Sequence, residues 1–568
     1  MRSRGTFKGD GMKKRSAPSK QAVALAAGGC VLILSAAAAQ PESPLRSADV
    51  IIAGGLVYNG GDAPPKHEDV VIAGDKIAYV GPGAAKKFHA EKTFDARDKF
   101  VAPGFIDGHS HPEHWLNSSD PKDRNLMPWI TQGTAILLMG IEAEGTPNIV
   151  EQTAKFAKTG IGANIVPFVG YRILRGPDGI LGNDSRAPTS AEINDARALV
   201  KKGMCEGGWG LSINLFSAPD IYSTTEEIIP IAREAAKYGG IYHVHERDES
   251  SYSIGLMGST LESIRIGREA GIGVQITHIK AIGPDVWGKA PEVIAAINKA
   301  RAEGVNVWAD QYPWTAASSG VEKMLVPRWV EDGGRAAMIK RFDDSAQLPK
   351  IKAEMAENLR KRGGPDTLLL TSTGYEWTGK TLSQMAAIWH IDPVDTAIRV
   401  VKTGGEAVAV GVTPGDANGG ALESFSLKDS DVNAFMQQPW ITTSSDAGAN
   451  HPRTYANYPR KFQKYAVEDK IITVQEFIRS STGREADNLH LDRRGYLKDG
   501  YFADVVVFDP KRYRQRNDYV HYDIPSEGVD ELFINGKLAV LNSKVTGQLA
   551  GRTILHVPTK AACSTGAN

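Results

Sequence analysis

Two histidines one residue apart, His109 and His111, follow a short apolar run that a Pro-Gly step interrupts at 103–104. Side chains on a strand alternate with a period of two, so these two imidazoles face the same side. Neutral imidazole is the commonest metal ligand among side chains. Taken alone, the pair fits a solvated polar loop as well as a shared divalent ion. The choice between them depends on whether further ligands follow.

Further metal-type side chains do follow, each at the end of an apolar segment. Segments with the length of buried strands occur at the run ending at His111 and at 135–140, 164–170, 210–215, 241–245, 274–278, 305–310 and 441–446. Helical patterns such as 225–238 and 291–303 lie between them. Eight buried strands, each followed by a helix, predict a parallel (β/α)8 TIM-like barrel rather than an open sheet.

Functional side chains of such barrels gather at the carboxyl ends of the strands. Four of the thirteen histidines of the chain lie at strand ends, together with three carboxylates. Any one of them fits a buried structural role, but the set favours a metal site. The candidate residues are His109, His111, Glu142, His245, His278, Asp310 and Asp446.

Nitrogen and carboxylate ligands of this kind suit Zn²⁺ with an open position for water. A zinc ion brings the pKa of water close to neutrality, so attack on a carbonyl becomes feasible. We expect Asp446 to bind the metal, to take the proton from the attacking water and to pass it to the leaving nitrogen. A helix-capping or salt-bridging carboxylate is the alternative for this residue.

The two ends of the chain differ from the middle, because short β-forming runs alternate there with glycine-containing turns. An Asn-Gly pair at 535–536 between apolar runs is a strong hairpin signal. We predict one small β-sandwich built from 46–103 and 485–557, and a barrel over 104–484. An insertion at about 318–440 would cover the barrel mouth, and 558–568 form a tail.

Composition and the first forty residues limit the class of protein. The 568 residues include 66 basic and 66 acidic side chains, so no global charge favours nucleic acid or an anionic membrane. Basic residues at 13–20, an apolar run at 22–34 and alanines up to 39 predict a signal peptide at 1–40 and export to the periplasm. Of the cysteines, only Cys205 and Cys563 would then remain. Nothing in their spacing requires a disulfide, and we expect structural or incidental roles.

Several motifs together resemble the amidohydrolase superfamily and, more narrowly, the N-acyl-D-amino-acid deacylase (D-aminoacylase) family. Their order and spacing agree with the family over nearly the whole chain after the signal peptide. The motifs are PGFIDGHSH at 103–111, YHVHERDE at 242–249, QITHIK at 275–280, DQYPW at 310–314, SD at 445–446 with HPR at 451–453, and GYFAD at 500–504 with DP at 509–510.

The resemblance implies zinc-dependent hydrolysis of an N-acyl amide on a D-amino acid, with one tightly held zinc and sometimes a second. By motif position, the residue after strand two would hold the tight metal together with His245 and His278. The other ion would lie on His109 and His111. The family often has a cysteine after strand two, where this chain has Glu142. A carboxylate there can still bridge two ions, and the number of metals stays open.

Substrate contacts are implied less strongly. By resemblance, Lys280 and Tyr312 would bind the carboxylate of an N-acyl amino acid, and Arg247 is a further donor near the mouth. The chain departs from the family at Tyr171 and Trp314, which leaves the exact substrate open. An N-acyl-L-amino acid, a peptide or a lactam is the alternative substrate. A non-catalytic periplasmic binding protein on a decayed barrel is the alternative class, and the intact ligand set argues against it.

Overall fold

Strands from both ends of the chain pair in one nine-stranded sheet. The computed structural model describes residues 45–408, 421–424, 426–448, 450–558 and 563. Antiparallel pairing of Ala102 with Val506 joins the two ends. Positive φ angles at Asn535 and Gly536 form the predicted hairpin turn. The strands are Arg46–Val57, Lys66–Ala73, Lys76–Gly81, Phe88–Asp95, Phe100–Pro103, Val505–Phe508, Val529–Ile534, Lys537–Leu541 and Lys544–Val545.

Between these ends lie eight parallel strands, here numbered β1 to β8. They form a three-stranded and a six-stranded sheet, and β3 belongs to both, since it is interrupted at Phe168. The strands are β1 (Phe105–Asp107), β2 (Thr134–Met139), β3 (Asn164–Pro167, resumed at Val169–Gly170), β4 (Gly210–Asn214), β5 (Ile241–His245), β6 (Gly273–Ile276), β7 (Val307–Gln311) and β8 (Ile441–Thr443).

The first and last of these strands meet where they end. The amide of Gly108 donates to the carbonyl of Thr443 at 3.3 Å, and the amide of Asp446 donates to the carbonyl of His109 at 2.8 Å. The mixed α/β class predicted from the sequence is confirmed, and these contacts bring residues after β1 and β8 to one place.

Three strands at the site end earlier than the sequence predicts, and the first is β1, which ends at Asp107 and not at His111. The apolar runs at 274–278 and 441–446 suggested strands reaching His278 and Asp446, whereas β6 ends at Ile276 and β8 at Thr443. The reason is local, because φ is +35° at His278 and +48° at Asp446. Such angles lie outside the extended region, so the chain leaves the sheet before these residues.

Helices cover the outside of the parallel strands. Several begin with a side-chain cap, as at Thr224, whose hydroxyl accepts from the amide of Glu227 at 3.3 Å. The helices are Glu113–Asn117, Pro121–Arg124, Met127–Ile130, Ile149–Thr159, Ser190–Cys205, Thr225–Ala236, Gly255–Ala270, Ala290–Ala302, Asp429–Met436, Arg453–Arg460, a π-helical Lys461–Glu468, Val474–Ser481 and Gly483–Leu489.

The segment between β7 and β8 has a core of its own. Buried apolar side chains such as Val321, Met355 and Leu382 form a cluster separate from the main core. Among its described residues, the part of this segment from Ala317 to Ser424 contains a four-stranded sheet and six α-helices, and the helix Asp429–Met436 follows before β8. The strands are Ala317–Gly320, Leu368–Leu370, Lys380–Thr381 and Ala421–Ser424; the helices are Val321–Leu325, Arg328–Glu331, Arg335–Asp343, Leu348–Lys361, Leu382–Trp389 and Pro393–Val408.

Cys205 and Cys563 form a disulfide, which the sequence spacing did not require. The pairing depends on tertiary structure, because the segment before Cys563 runs beside the parallel strands. There the amide of Ile554 donates to the carbonyl of Ile165 at 2.8 Å. In the described part of the chain, no helix has the length and apolar character needed to cross a bilayer.

Candidate metal centre

His109 lies at the centre of a group of side chains that come from the ends of different strands. Its side chain is fully buried, and neither ring nitrogen has a hydrogen-bond partner among the described residues. Its Nε2 lies 3.5 Å from Oε1 of Glu142 and 3.6 Å from Oδ1 of Asp446. Nε2 of His111 also lies 3.6 Å from Oδ1 of Asp446. Both histidines of the first motif therefore face the same carboxylate.

Glu142 follows β2 and contacts three imidazoles through one oxygen atom. Its Oε1 lies 2.7 Å from Nδ1 of His245, 3.1 Å from Nε2 of His278 and 3.5 Å from Nε2 of His109. Its other oxygen, Oε2, accepts from the side-chain amide of Asn214 at 2.9 Å. The structure thus places the predicted residue after strand two inside the cluster, not on the surface.

The atoms that would bind an ion are close enough for one site. One ligand atom from each of His109, Glu142, His278 and Asp446 lies within 4.8 Å of the others. A second group of the same compactness consists of His245, Glu249 and His278. Unpartnered imidazole nitrogens in a buried, carboxylate-rich cluster are what a divalent cation would satisfy. The donor set fits such an ion.

Three residues of the cluster have backbone angles that few non-glycine residues adopt. The φ angle is +47° at Glu142, +35° at His278 and +48° at Asp446. Such conformations cost free energy and persist where the surrounding structure imposes them, which is common at active sites. Here they turn each side chain inward after its strand or turn.

Neighbouring side chains fix these backbone positions. The carboxylate of Asp310 accepts from the amide of His278 at 2.8 Å, and that of Asp107 accepts from the amide of Ser445 at 2.8 Å. Both aspartates are fully buried. Asp310, a strand-end candidate in the sequence, therefore positions the backbone of His278. It also belongs to a third compact group of metal-type side chains, with His109 and His243.

Carboxylates and imidazoles of the cluster shift each other's pKa values toward the charged forms of Glu142 and His111. Burial would raise the pKa of Glu142, but His245 and the other two imidazoles hold it well below its usual range. Burial would likewise lower the pKa of His111, yet the carboxylates of Asp446 and Glu142 raise it to about 10. The carboxylates are thus ionised without an ion and available as anionic ligands.

A cavity of about 490 Å³ opens above the cluster. Its lining includes both predicted carboxylate contacts, Lys280 and Tyr312, together with Arg453. The ammonium of Lys280 lies 5.6 Å from the centre of the Tyr312 ring, and the guanidinium carbon of Arg453 lies 4.7 Å from it. Two cations therefore flank one phenol ring at the edge of the cluster.

Known proteins were compared with this sequence and fold. No family model matches the chain. D-aminoacylase of Alcaligenes xylosoxydans xylosoxydans is 27% identical over an alignment of 542 positions, which covers 90% of this chain and 99% of that protein. The N-acyl-D-aspartate deacylase of the same organism is 27% identical over 86% of this chain and 91% of its own length. A crystal structure of D-aminoacylase, described as defining a novel subset of amidohydrolases, superimposes with a TM-score of 0.73 at 26% identity. It covers 90% of this chain and 100% of that one.

The resemblance to the D-aminoacylase family is confirmed. Another D-aminoacylase structure, with a TM-score of 0.72 at 25% identity over 90% of this chain and 100% of that one, concerns the functional role of a binuclear metal centre. Glu142 stands where the resemblance implies that a cysteine is common, and its carboxylate lies in the cluster with His109, His278 and Asp446.

Arg247, expected to contact substrate, is placed differently by the structure. Its guanidinium binds the carboxylate of Glu262 at 2.8 and 2.9 Å and donates to the carbonyls of Ile221 and Ser223. It does not line the cavity above the cluster. The bonds of its guanidinium join the loop at 221–223 to the helix Gly255–Ala270, which sequence spacing does not reveal. A substrate contact by Arg247 stays a prediction that these bonds do not favour.

Two residues of this D-aminoacylase-like site were not singled out from the sequence. Glu249 lies 2.5 Å from Nζ of Lys280 and 3.1 Å from Nδ1 of His278. Arg453 lies 3.0 Å from Oδ2 of Asp446. Both belong to motifs that carried the family resemblance, and their polar character there was the available signal.

Proposed function

We propose that this chain is a zinc-dependent amidohydrolase that cleaves the amide bond of N-acyl-D-amino acids. The observation that carries the proposal is the compact group of His109, Glu142, His278 and Asp446. Relatives named for D-aminoacylase, N-acyl-D-aspartate and N-acyl-D-glutamate deacylase support the substrate class. They act on carbon–nitrogen bonds other than peptide bonds, and this chain is a hydrolase of that kind.

The residues present fit one or two zinc ions. His245, His278 and Glu142 would hold the first ion, and His109 and His111 would hold another, with Asp446 available to either. When bound, zinc supplies Lewis acidity that polarises a carbonyl and eases the ionisation of water. The preference for zinc follows from a donor set of imidazole nitrogens and carboxylate oxygens.

Asp446 is the proposed general base and acid. Its Oδ1 faces the ring nitrogens of His109 and His111, while Oδ2 is held by Arg453. The carboxylate accepts a proton from the water that attacks the carbonyl carbon. It then gives that proton to the amide nitrogen as the carbon–nitrogen bond breaks, and a carboxylic acid and a free D-amino acid result.

Two cations in the wall of the cavity above the cluster, Lys280 and Arg453, are proposed to orient the substrate. Lys280 and Arg453 with Tyr312 would bind the α-carboxylate, because two cationic side chains and a phenol hydroxyl suit an anionic group. Glu249 holds Lys280 at 2.5 Å, so the ammonium has a fixed place near His278. This arrangement directs the scissile amide toward the metal ligands.

For the scaffold, we propose that β1 to β8 close into a (β/α)8 barrel. Hydrogen bonds between the ends of β1 and β8, and the continuity of β3 between the two parallel sheets, support closure. The strands of both chain ends would form a β-sandwich domain beside it. The predicted domain limits, including the insertion at about 318–440, remain predictions.

For location, we propose export to the periplasm. The signal-like segment at 1–40 lies outside the described residues. The disulfide between Cys205 and Cys563 supports an oxidising compartment, since such bonds persist mainly outside the cytosol. Cell fractionation with an antibody against the protein tests this; recovery with cytosolic markers would contradict it.

The decisive experiment is hydrolysis of matched N-acetyl-D- and N-acetyl-L-amino acids by protein reconstituted with zinc. We expect release of the free D-amino acid and little release from the L series. Exclusive cleavage of L substrates would overturn the D assignment. Ligand binding without cleavage, undiminished in Asp446→Asn, would identify a binding protein instead.

A further inference from the structure

A second cavity, of about 400 Å³, opens beside the metal cluster, and we call it the side chamber. It shares Glu142, Asn214 and Lys323 with the cavity above the cluster. Its far wall comes from the segment between β7 and β8, including Glu322 and Met338. A substrate held at the cluster can therefore extend an arm into this chamber.

Two buried carboxylates line the side chamber with unused acceptor atoms. Glu322 is 5% exposed, and neither of its carboxylate oxygens has a hydrogen-bond partner among the described residues. Asp220 is 3% exposed; its Oδ2 accepts from the amide of Asn214 at 3.2 Å, while Oδ1 has no partner within the same residues. Buried carboxylates are costly unless a cation or hydrogen-bond donor meets them.

Most other charges of the chamber wall are already engaged. Arg172 pairs with Glu144 at 3.1 Å, and Glu331 pairs with Arg328 at 2.7 Å. The guanidinium of Arg335 donates to a backbone carbonyl, that of Val401. Lys323 follows Glu322 in sequence and is the cation shared with the main cavity. Acidic side chains outnumber basic ones in the lining.

The pKa values of Glu322 and Asp220 are both raised, as expected for buried carboxylates without a full cationic partner among the described residues. Burial raises the pKa of Glu322 to about 7 and the charge of Glu331 adds to this, although Lys323, the residue's own backbone amide and Arg335 lower it in part. Burial also raises the pKa of Asp220 to about 7, against the lowering effect of its bond from Asn214 and of two arginines. A cation entering the chamber would favour the ionised form of both and would itself be bound in return.

We propose that the side chamber binds a positively charged group of the substrate, an ammonium or a guanidinium, through the carboxylates of Glu322 and Asp220. The inference rests on the proposed function, since it assigns the amino-acid side chain of that substrate. With the amide at the cluster and the α-carboxylate at Lys280, a basic side chain on the D-amino acid is the arm that reaches the chamber. N-acyl derivatives of lysine-like or arginine-like D-amino acids are therefore the preferred substrates.

The test compares N-acetyl-D-lysine with N-acetyl-D-norleucine on the zinc-loaded enzyme, because the two differ only by the terminal ammonium. We expect kcat/KM to be at least about tenfold higher for the lysine compound. Glu322→Gln, and separately Asp220→Asn, are expected to lower kcat/KM for the lysine compound about tenfold or more while changing the norleucine value less than about threefold. Both replacements keep the size of the side chain. Thermal unfolding confirms that each variant is folded.

Glu331→Gln is the matched control, because Glu331 lines the same chamber but already has Arg328 as partner. It should leave the ratio of the two substrates within about twofold of wild type. Equal or better cleavage of the norleucine compound by wild type, or equal losses on both substrates in Glu322→Gln, would overturn the subsite alone. Cleavage of neither compound, nor of any other N-acyl-D-amino acid, would overturn the proposed function and the subsite with it.

Discussion

The guanidinium of Arg453 lies 3.0 Å from the carboxylate of Asp446, with Nη1 opposite Oδ2. The second oxygen of the carboxylate, Oδ1, lies 3.6 Å from His109 and from His111. Burial would raise the pKa of Asp446, but Arg453 and the imidazole of His278 hold it well below its usual range. One oxygen is thus tied to a permanent cation, and the other faces the cluster.

Replacing Asp446 by asparagine should nearly abolish hydrolysis while leaving the fold intact. An amide oxygen can still lie opposite the guanidinium of Arg453, but it cannot take the proton of the attacking water. We expect kcat to fall by about a hundredfold to ten-thousandfold, the usual contribution of general acid–base catalysis. Release of amino acid is the measurement, and Asp195→Asn, on an exposed helix face, is the control. A variant that kept more than about a tenth of wild-type kcat would contradict the role.

Replacing Glu142 by glutamine should weaken metal binding more than it weakens the fold. Its Oε1 contacts three imidazoles, so loss of the charge affects every histidine that shares it. We expect at least about a tenfold loss of metal affinity in competition with a chelator. Glu142→Cys, which restores an anionic ligand, should bind metal better than the glutamine variant.

The control for this experiment is Glu151→Gln, because Glu151 is exposed on the helix Ile149–Thr159. It should bind metal as the wild type does. Full metal content in Glu142→Gln, measured by elemental analysis after dialysis, would show that the carboxylate is not a ligand.

The residues that could be predicted from the sequence are those whose role follows from local position. His245 ends β5, whereas His109 and His111 lie beyond the end of β1, so their position after a strand, rather than alternation along it, brings them together. The same logic located Asp446 and Glu142, although each leaves its strand through a positive φ angle that the apolar pattern does not show.

Partners that depend on the path of loops could not be predicted. Arg247 is a cation near the predicted barrel mouth, which suits a substrate contact. Its guanidinium is instead paired with the carboxylate of Glu262 on the following helix. Glu249 lies in the loop after β5 and Arg453 begins the helix Arg453–Arg460, and both become part of the site only because the chain returns there toward the cluster. The small sheet containing Ala317–Gly320 and Leu368–Leu370 was likewise missed, since its short strands carry little alternation.

Stability should depend on pH through Lys461, a buried lysine that begins the π-helix Lys461–Glu468. Its ammonium donates to the hydroxyls of Thr443 at 2.7 Å and Ser480 at 3.1 Å, and the residue is 1% exposed. Burial lowers its pKa from 10.5 to about 7, although Glu476 acts in the opposite direction. Between about pH 7 and 10 the unfolded chain therefore binds a proton that the folded chain lacks, and this group makes stability rise with pH.

Lys461→Met should remove that contribution. The variant is expected to be more stable than wild type near pH 7, with an advantage that shrinks by up to about 1.4 kcal/mol per pH unit toward pH 10. Urea unfolding at several pH values measures the difference between the two proteins. An advantage independent of pH would contradict the depressed pKa.

Removing the disulfide should lower stability without changing catalysis. Cys205 ends the helix Ser190–Cys205, which precedes the amino end of β4. Asn214, which contacts Glu142 of the cluster, lies at the carboxyl end of β4. For the double variant Cys205→Ser/Cys563→Ser we expect a loss of about 2–4 kcal/mol in unfolding free energy and kcat within about twofold of wild type. Thermal unfolding and hydrolysis rates measure both. Two titratable thiols in native wild-type protein would show that the bond is not formed.

The pairing of Phe100–Pro103 with Val505–Phe508 has a consequence for the order in which the molecule assembles. The strand Phe100–Pro103 leads within a few residues to His109, so the segment carrying the first histidine pair adjoins a strand whose partner lies about 400 residues later in the sequence. Contacts so remote in sequence slow folding, because a large loop must close before they form. Slow closure of this kind would keep the chain extended during the export proposed above.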